Sequence, residues 1–186
     1  MNATDEIPEG YLRVTEVLNP FSKLHEIDPQ VLANAADRGR RAHKWCTLHA
    51  LNMLFGEVDA DCKEYVESWK TWFDAYVGKV LMPPKRINSP HYRISGEFDL
   101  FVKMKGEEGT TLLDIKTPAN VSASWQLQTA AYKMLLEDEL GEIVDRRIVV
   151  MLPKFGGKAR IIEHLEHDLD EKKYLNALEL YRHFYA

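Results

Sequence analysis

The sequence predicts an α/β sandwich in which helices cover a central mixed sheet, and three observations carry that prediction. Apolar residues recur at helical spacing through the N-terminal third, alternating and β-branched runs follow from about Val80, and a helical segment separates the first strands from the last pair. The 186 residues fit one continuous domain, against a typical roughly 150, and no internal repeat or linker breaks them.

Asp28-Pro29 offers an N-cap followed by proline at the first helical position. Val31, Leu32, Ala35, Ala42, Trp45, Cys46, Leu48 and Leu51 then keep a helical period. Gly39 interrupts that run, at a cost of about 1 kcal/mol relative to alanine, so it either begins a second helix or lets another group approach the backbone. A further helix is expected from about Asp61 to Tyr76, where Tyr65, Trp69, Trp72, Phe73 and Tyr76 form an aromatic stripe best read as core packing. Pro83-Pro84 ends regular structure. Strands are expected over Tyr92–Ile94, Phe98–Met104 and Thr110–Thr117, the last closed by Pro118-Ala119-Asn120. Ser122 or Ser124 can cap a helix running to about Leu140. Arg146–Leu152 and Ala159–His164 read as a hairpin around Phe155-Gly156-Gly157-Lys158, and Asp170–Tyr185 as a final amphipathic helix.

Composition narrows the function classes. Twenty-four basic against 29 acidic residues give a net charge of −5, which excludes a uniformly basic nucleic-acid coat. Cys46 and Cys62 are too few for a four-thiolate metal site or a multi-bridge disulfide framework, so a reducing, cytoplasmic setting is expected. Met1–Gly10 carries acids and a proline where a secretory signal would have a basic and then an apolar stretch. The uninterrupted aliphatic run Ile148–Leu152 falls far short of the roughly 20 residues a membrane helix needs.

Gly96-Glu97-Phe98-Asp99 and Leu113-Asp114-Ile115-Lys116 are the most informative segments. In a strand, residues two apart share a face, so Asp114 and Lys116 point together and Ile115 points away. A two-residue turn at Gly106-Glu107 sets Lys105 opposite Glu108 and, counting back along both strands, Asp99 opposite Asp114. Opposed carboxylates are destabilising unless one is protonated or a cation joins them. Such an oxygen-rich pair suits Mg²⁺ or Mn²⁺, which serves phosphodiester hydrolysis, with Lys116 holding or deprotonating the attacking water. The spacing alone fits an ordinary surface ion pair equally well. Gln128 and Tyr132 share one helix face directly after this strand, and His43 lies one turn from Gly39 among Arg38, Arg40, Arg41 and Lys44.

Taken in order, Gly39-x-x-x-His43, Gly96-Glu-Phe-Asp99, Asp114-Ile-Lys116 and Gln128-x-x-x-Tyr132 resemble the PD-(D/E)XK nuclease superfamily, and within it the RecB-like exonuclease branch with its phage members. The resemblance covers about Val14 to Leu165. It implies a restriction-endonuclease-like core of αβββαβ order in a single nuclease domain, helical over about 1–78 and catalytic over about 79–186. It implies that His43 and Asp99 bind metal, that Asp114 bridges one or two Mg²⁺ or Mn²⁺ ions, and that the Ile115 carbonyl completes the shell. Lys116 would be the catalytic lysine, and Gln128 and Tyr132 the helix motif that contacts DNA and steadies the site, with Arg40 and Arg41 binding DNA nearby. Aspartate stands at 114 where glutamate is common in the branch. The cysteine quartet of iron–sulfur relatives is absent, so no such cluster is expected.

The implied activity is metal-dependent DNA cleavage in phage or prophage recombination, repair or DNA degradation. The implied partners are DNA, a recombination or annealing protein and further copies of the chain, with no membrane. A catalytically silent nucleic-acid-binding protein on the same fold is the alternative, motivated by the negative charge. Under the nuclease reading the acids are metal ligands, and the DNA-facing positives are concentrated around His43, with Lys85, Arg86, Lys154, Lys158 and Arg160 as further candidates.

Overall fold

The computed structural model describes residues 6–22, 26–53, 56–118 and 120–185. Ala119 of the expected Pro118-Ala119-Asn120 turn and Met1–Asp5 of the N-terminal stretch lie outside them.

A short strand β1 (Leu12–Arg13) runs into helix α1 (Val14–Leu18) and a 3₁₀ turn at Asn19–Phe21. Helix α2 (Pro29–Ala50) starts where the sequence predicts: Asp28 accepts hydrogen bonds from the amides of Gln30, 2.9 Å, and Val31, 3.1 Å. It continues unbroken through Gly39. The reason for glycine there is the second of the two expected: Thr117 Oγ1 lies 3.4 Å from where a Cβ would sit, so α2 passes close over the end of a strand.

Helix α3 (Lys63–Tyr76) buries Tyr65, Trp69 and Trp72 of the aromatic stripe. Trp69 stacks tilted on Phe73 at 5.0 Å and donates its indole N–H to the Cys46 carbonyl, 3.0 Å, which ties α3 to α2. Tyr76, at the end of the stripe, is exposed. The chain then enters strand β2 (Val77–Met82) without a loop, and after Pro83-Pro84 resumes in strand β3 (Lys85–Ser89); neither strand was expected from the sequence.

Strand β4 (Ile94–Phe98) begins beyond Tyr92, which lies in a turn. Strands β5 (Leu100–Met104) and β6 (Thr110–Lys116) follow, then helix α4 (Ser124–Leu140), strands β7 (Arg146–Met151) and β8 (Arg160–Glu163), and helix α5 (His167–Tyr185). Two sheets result, one ordered β1-β4-β3 and the other β2-β5-β6-β7-β8. β6 and β7 pair in parallel through the α4 crossover, with Asp114 beside Val149 and Lys116 beside Met151. No helix among the described residues is long and apolar enough to cross a membrane.

The five-stranded sheet is covered on both faces, as the sandwich prediction requires. Leu100, Val102, Leu113 and Ile115 pack with α2 and α3, whereas Phe101 and Leu112 pack with α1, α4, α5 and the smaller sheet. Each such aliphatic or aromatic side chain, fully buried, contributes about 1.5–3 kcal/mol. Period-2 alternation therefore sets Asp114 and Lys116 on the α4 face of the central strand, level with a core that is otherwise apolar.

Candidate active site

β5 and β6 pair in the expected register, with Leu100 opposite Leu113 and Lys103 opposite Thr110. The turn differs from the one expected. Glu107 N–H donates to the Met104 carbonyl, 3.4 Å, so Lys105 and Gly106 are the central residues and Gly106, at φ +71°, comes second. Four pairs earlier than the turn the register still points Asp99 toward Asp114, but Asp99 is a bend residue. There the chain leaves β4 of one sheet for β5 of the other, which frees the carboxylate to turn inward.

Asp99 uses both oxygens. Oδ2 accepts from the Ile115 backbone amide at 2.6 Å, and Oδ1 lies 3.0 Å from His43 Nδ1. The carboxylate can only accept from that nitrogen, so the proton sits on Nδ1 and Nε2 is the nitrogen left to face a ligand. Asp114 is 2% exposed. Lys116 Nζ stands 2.8 Å from its buried Oδ2 as the ion-pair partner. Four charged groups from α2, the β4–β5 bend and β6 thus converge: His43, Asp99, Asp114 and Lys116.

Their electrostatics separate the two carboxylates. Burial raises the pKa of Asp99, but His43 and Lys116 beside it outweigh burial and hold it below the ordinary carboxylate range. Burial also raises Asp114, Asp99 adds to the rise, and Lys116 offsets only part of it, so Asp114 stands above its ordinary value. Burial opposes the charged form of His43, but the Asp99 carboxylate carries it above the ordinary imidazole range.

Gln128 Nε2 donates to the Tyr132 hydroxyl at 2.8 Å. Burial, and after it the Asp114 charge, pushes the Tyr132 phenol up, so it stays protonated and keeps its own hydrogen for a further acceptor. Tyr132 is positioned by close approach to Gly96, where a Cβ would stand 2.6 Å from Leu135 Cδ1 and 3.0 Å from the Tyr132 ring. Gly96→Ala is therefore expected to cost about 1–3 kcal/mol by overpacking, read as a lower urea midpoint. A midpoint equal to the wild type's would show that the Tyr132 ring is not held by this contact.

The structure does not bring Arg40 and Arg41 to these groups. Arg40 pairs with Asp37 at 3.3 Å, and Arg41 with Asp37 at 3.0 Å, Asp61 at 2.7 Å and Asp59 at 3.6 Å. The basic run around His43 is to that extent neutralised. A cleft of about 260 Å³ instead reaches Tyr132 between Arg13, Thr15, Arg86, Ser95 and Glu97. Arg86 ion-pairs Glu97 and donates to Ser95 Oγ at 3.3 Å. Arg13 and Ser95 carry no local signal of this role, because the parallel pairing that sets Arg13 beside Ser95 joins segments far apart in sequence.

Among the described residues no three His, Cys, Asp or Glu side chains are already gathered as a metal cage. The four groups close on one another in pairs, His43 on Asp99 and Lys116 on Asp114. The donor set nevertheless suits a hard divalent cation, being carboxylate oxygens with one imidazole nitrogen, and two buried carboxylates with a single ammonium between them leave negative charge that such an ion would offset.

One solved structure shares this arrangement of helices and sheets. The chain is similar to a candidate exonuclease from Eubacterium rectale, with a TM-score of 0.59 and 13% identity over 91% of this chain and 77% of that one. It is also similar to an alkaline exonuclease from Laribacter hongkongensis, with a TM-score of 0.44 and 13% identity over 94% of this chain and 91% of that one. The first likeness assigns the chain to a mixed α/β fold in which helices flank a central sheet. No protein-family profile and no curated protein sequence matches it.

Proposed function

We propose that the chain is a metal-dependent deoxyribonuclease of the RecB-like PD-(D/E)XK type, an exonuclease acting in phage or prophage recombination, repair or DNA degradation. The observation that carries this reading is the meeting of Asp99, Asp114 and Lys116 with His43 at the end of a buried central strand. Two carboxylates and an ammonium side by side inside a core oppose folding unless a function retains them. The name of the candidate exonuclease whose fold the chain shares agrees with the same reading.

Asp99, Asp114, His43 and the Ile115 carbonyl would hold Mg²⁺ or Mn²⁺, which when bound would acidify a water and polarise a phosphoryl oxygen. Asp99 keeps the imidazole oriented through Nδ1. Lys116, held against Asp114 on the α4 face, donates to the attacking water or to the phosphate oxygen on which charge builds. Tyr132, accepting from Gln128, donates its remaining hydrogen toward a substrate oxygen.

The reading is tested by incubating the purified protein with linear and covalently closed circular DNA in Mg²⁺, in Mn²⁺ and in excess chelator. Loss of linear DNA alone, only with the cation present, is the expected result. Equal cleavage in chelator contradicts the metal's role, and cleavage of closed circles contradicts the exonuclease assignment.

A further inference from the structure

One solvent-facing aromatic has no place in the core or in the site above. Phe155 is 87% exposed, more than any other large apolar residue among those described. It is third in the turn Pro153-Lys154-Phe155-Gly156, closed by the Gly156 N–H on the Pro153 carbonyl at 3.3 Å. Gly156 and Gly157 follow at φ +77° and +103°, conformations that favour glycine, and Gly156 packs against the Glu64 side chain at the start of α3. The tip is thus held in one place with its ring turned to water.

That place is the catalytic end of the sheet. The turn begins directly after Leu152, whose amide donates to the Lys116 carbonyl at 2.7 Å. Asp114, Lys116 and the turn all lie toward the C-terminal ends of the parallel β6–β7 pair, while Gly39 of α2 meets Thr117 at the same end. The turn itself carries only positive charge, with the Glu64 carboxylate facing it from the start of α3. Pro153–Arg160 contains Lys154, Lys158 and Arg160 and no carboxylate, in a chain of net charge −5. Lys154 Nζ stands 5.4 Å from the Phe155 ring centroid.

An exposed aromatic ring with an ammonium beside it, on a turn that carries further cations, is an arrangement that can receive a nucleobase: the ring offers a stacking face and the ammonium groups can meet flanking phosphates. We infer that Phe155 is a stacking platform for an unpaired base of the substrate strand, with Lys154, and Lys158 from the same turn, meeting the strand's phosphates. This rests on the nuclease reading and narrows it. A base inside a duplex has both faces covered by its neighbours, so the platform accepts a single strand or the last, frayed base at a duplex end. Phe155 thereby selects strand ends for the carboxylates at Asp99 and Asp114.

The test is binding of a single-stranded oligonucleotide carrying one 2-aminopurine, followed by anisotropy and by the probe's own fluorescence, in chelator and again in Ca²⁺. Phe155→Ala is expected to weaken binding by about five-fold or more and to abolish the stacking quench, whereas Phe155→Trp stays within two-fold of the wild type. Joint Lys154→Ala and Lys158→Ala replacement is expected to lower the salt slope by about 1.4, about 0.7 for each lost phosphate contact. Because the ring is exposed, the thermal midpoint of Phe155→Ala should match the wild type's, which separates lost binding from lost folding. Binding by Phe155→Ala within two-fold of the wild type overturns the inference, as does a tryptophan variant as weak as the alanine one. So does a wild-type chain that binds single strands in neither condition. A protein that shows the Phe155 dependence yet cleaves no DNA with Mn²⁺ would retain the platform and lose the nuclease reading instead.

Discussion

Asp114→Asn is expected to lower DNA cleavage by about 10²–10³-fold or more while leaving the protein at least as stable as the wild type. Asparagine keeps the volume and one carbonyl oxygen but removes the charge. Asp114 is 2% exposed, and burial together with the neighbouring Asp99 raises its pKa despite Lys116. A carboxyl whose pKa is raised on folding favours the fold when protonated, and that contribution is lost as pH rises through the folded-state value. The ionised carboxylate therefore opposes folding at neutral pH, and the asparagine variant escapes that opposition. Its advantage in thermal midpoint, measured in chelator, should be largest near neutrality and shrink on acidification. An Asp114→Asn protein that cleaves at the wild-type rate, or that unfolds several degrees lower at neutral pH, contradicts this account.

Asp170→Ala is expected to be the most damaging single change to stability, at about 3–5 kcal/mol. Arg147 on β7 is fully buried; its Nη2 donates to Asp170 Oδ2 of α5 at 2.8 Å and its Nη1 to the Gln126 carbonyl of α4 at 2.9 Å. Removing Asp170 leaves a guanidinium in the interior with one carbonyl for company, and such an uncompensated charge costs far more than the ion pair contributes. Against a typical stability of about 5–15 kcal/mol the loss is a large fraction. Urea unfolding should show a sharply lower midpoint for Asp170→Ala and recovery of most of it in the apolar double variant Arg147→Met, Asp170→Leu. A single variant within about 0.5 kcal/mol of the wild type would show the pair to be unimportant.

What the sequence made legible follows physical range. α2 and the β7–β8 hairpin are written in local chemistry, an Asp-Pro start with a helical period and a glycine pair between aliphatic runs, whereas α4 starts after Ala123 without the serine side-chain cap the sequence suggests. The β5–β6 register could be read although the turn was misassigned, because the unpaired stretch between Lys103 and Thr110 is centred on the same point as a two-residue turn at Gly106-Glu107. Gly39 reads from sequence as either the start of a second helix or a place of close approach, and only the fold, with α2 running through it and Thr117 Oγ1 3.4 Å from where a Cβ would sit, separates the two. By contrast, β1 has two residues and a partner about 80 positions away, and β2 follows α3 with no capping residue to announce it. Asp99 read as part of one strand from Phe98 to Met104, since nothing local says that the chain changes sheets there. Two of the carboxylates that occupy Arg41, Asp59 and Asp61, come from a loop about 20 residues on and a third, Asp37, from its own helix, so Arg40 and Arg41 of the basic run are ion-paired in the fold. Arg147, one of two adjacent arginines, gives no local sign that it is the buried one.

The nuclease reading is tested most directly by the rate of linear DNA degradation in Mn²⁺ for the wild type and for Lys116→Ala, measured side by side. In the proposed function Lys116, ion-paired with Asp114, is the group assigned to proton and charge handling at the phosphate. The wild type should degrade the DNA, and the variant should fall by at least about 10²-fold while retaining its fold by circular dichroism. Undiminished degradation by a folded Lys116→Ala protein would contradict the account.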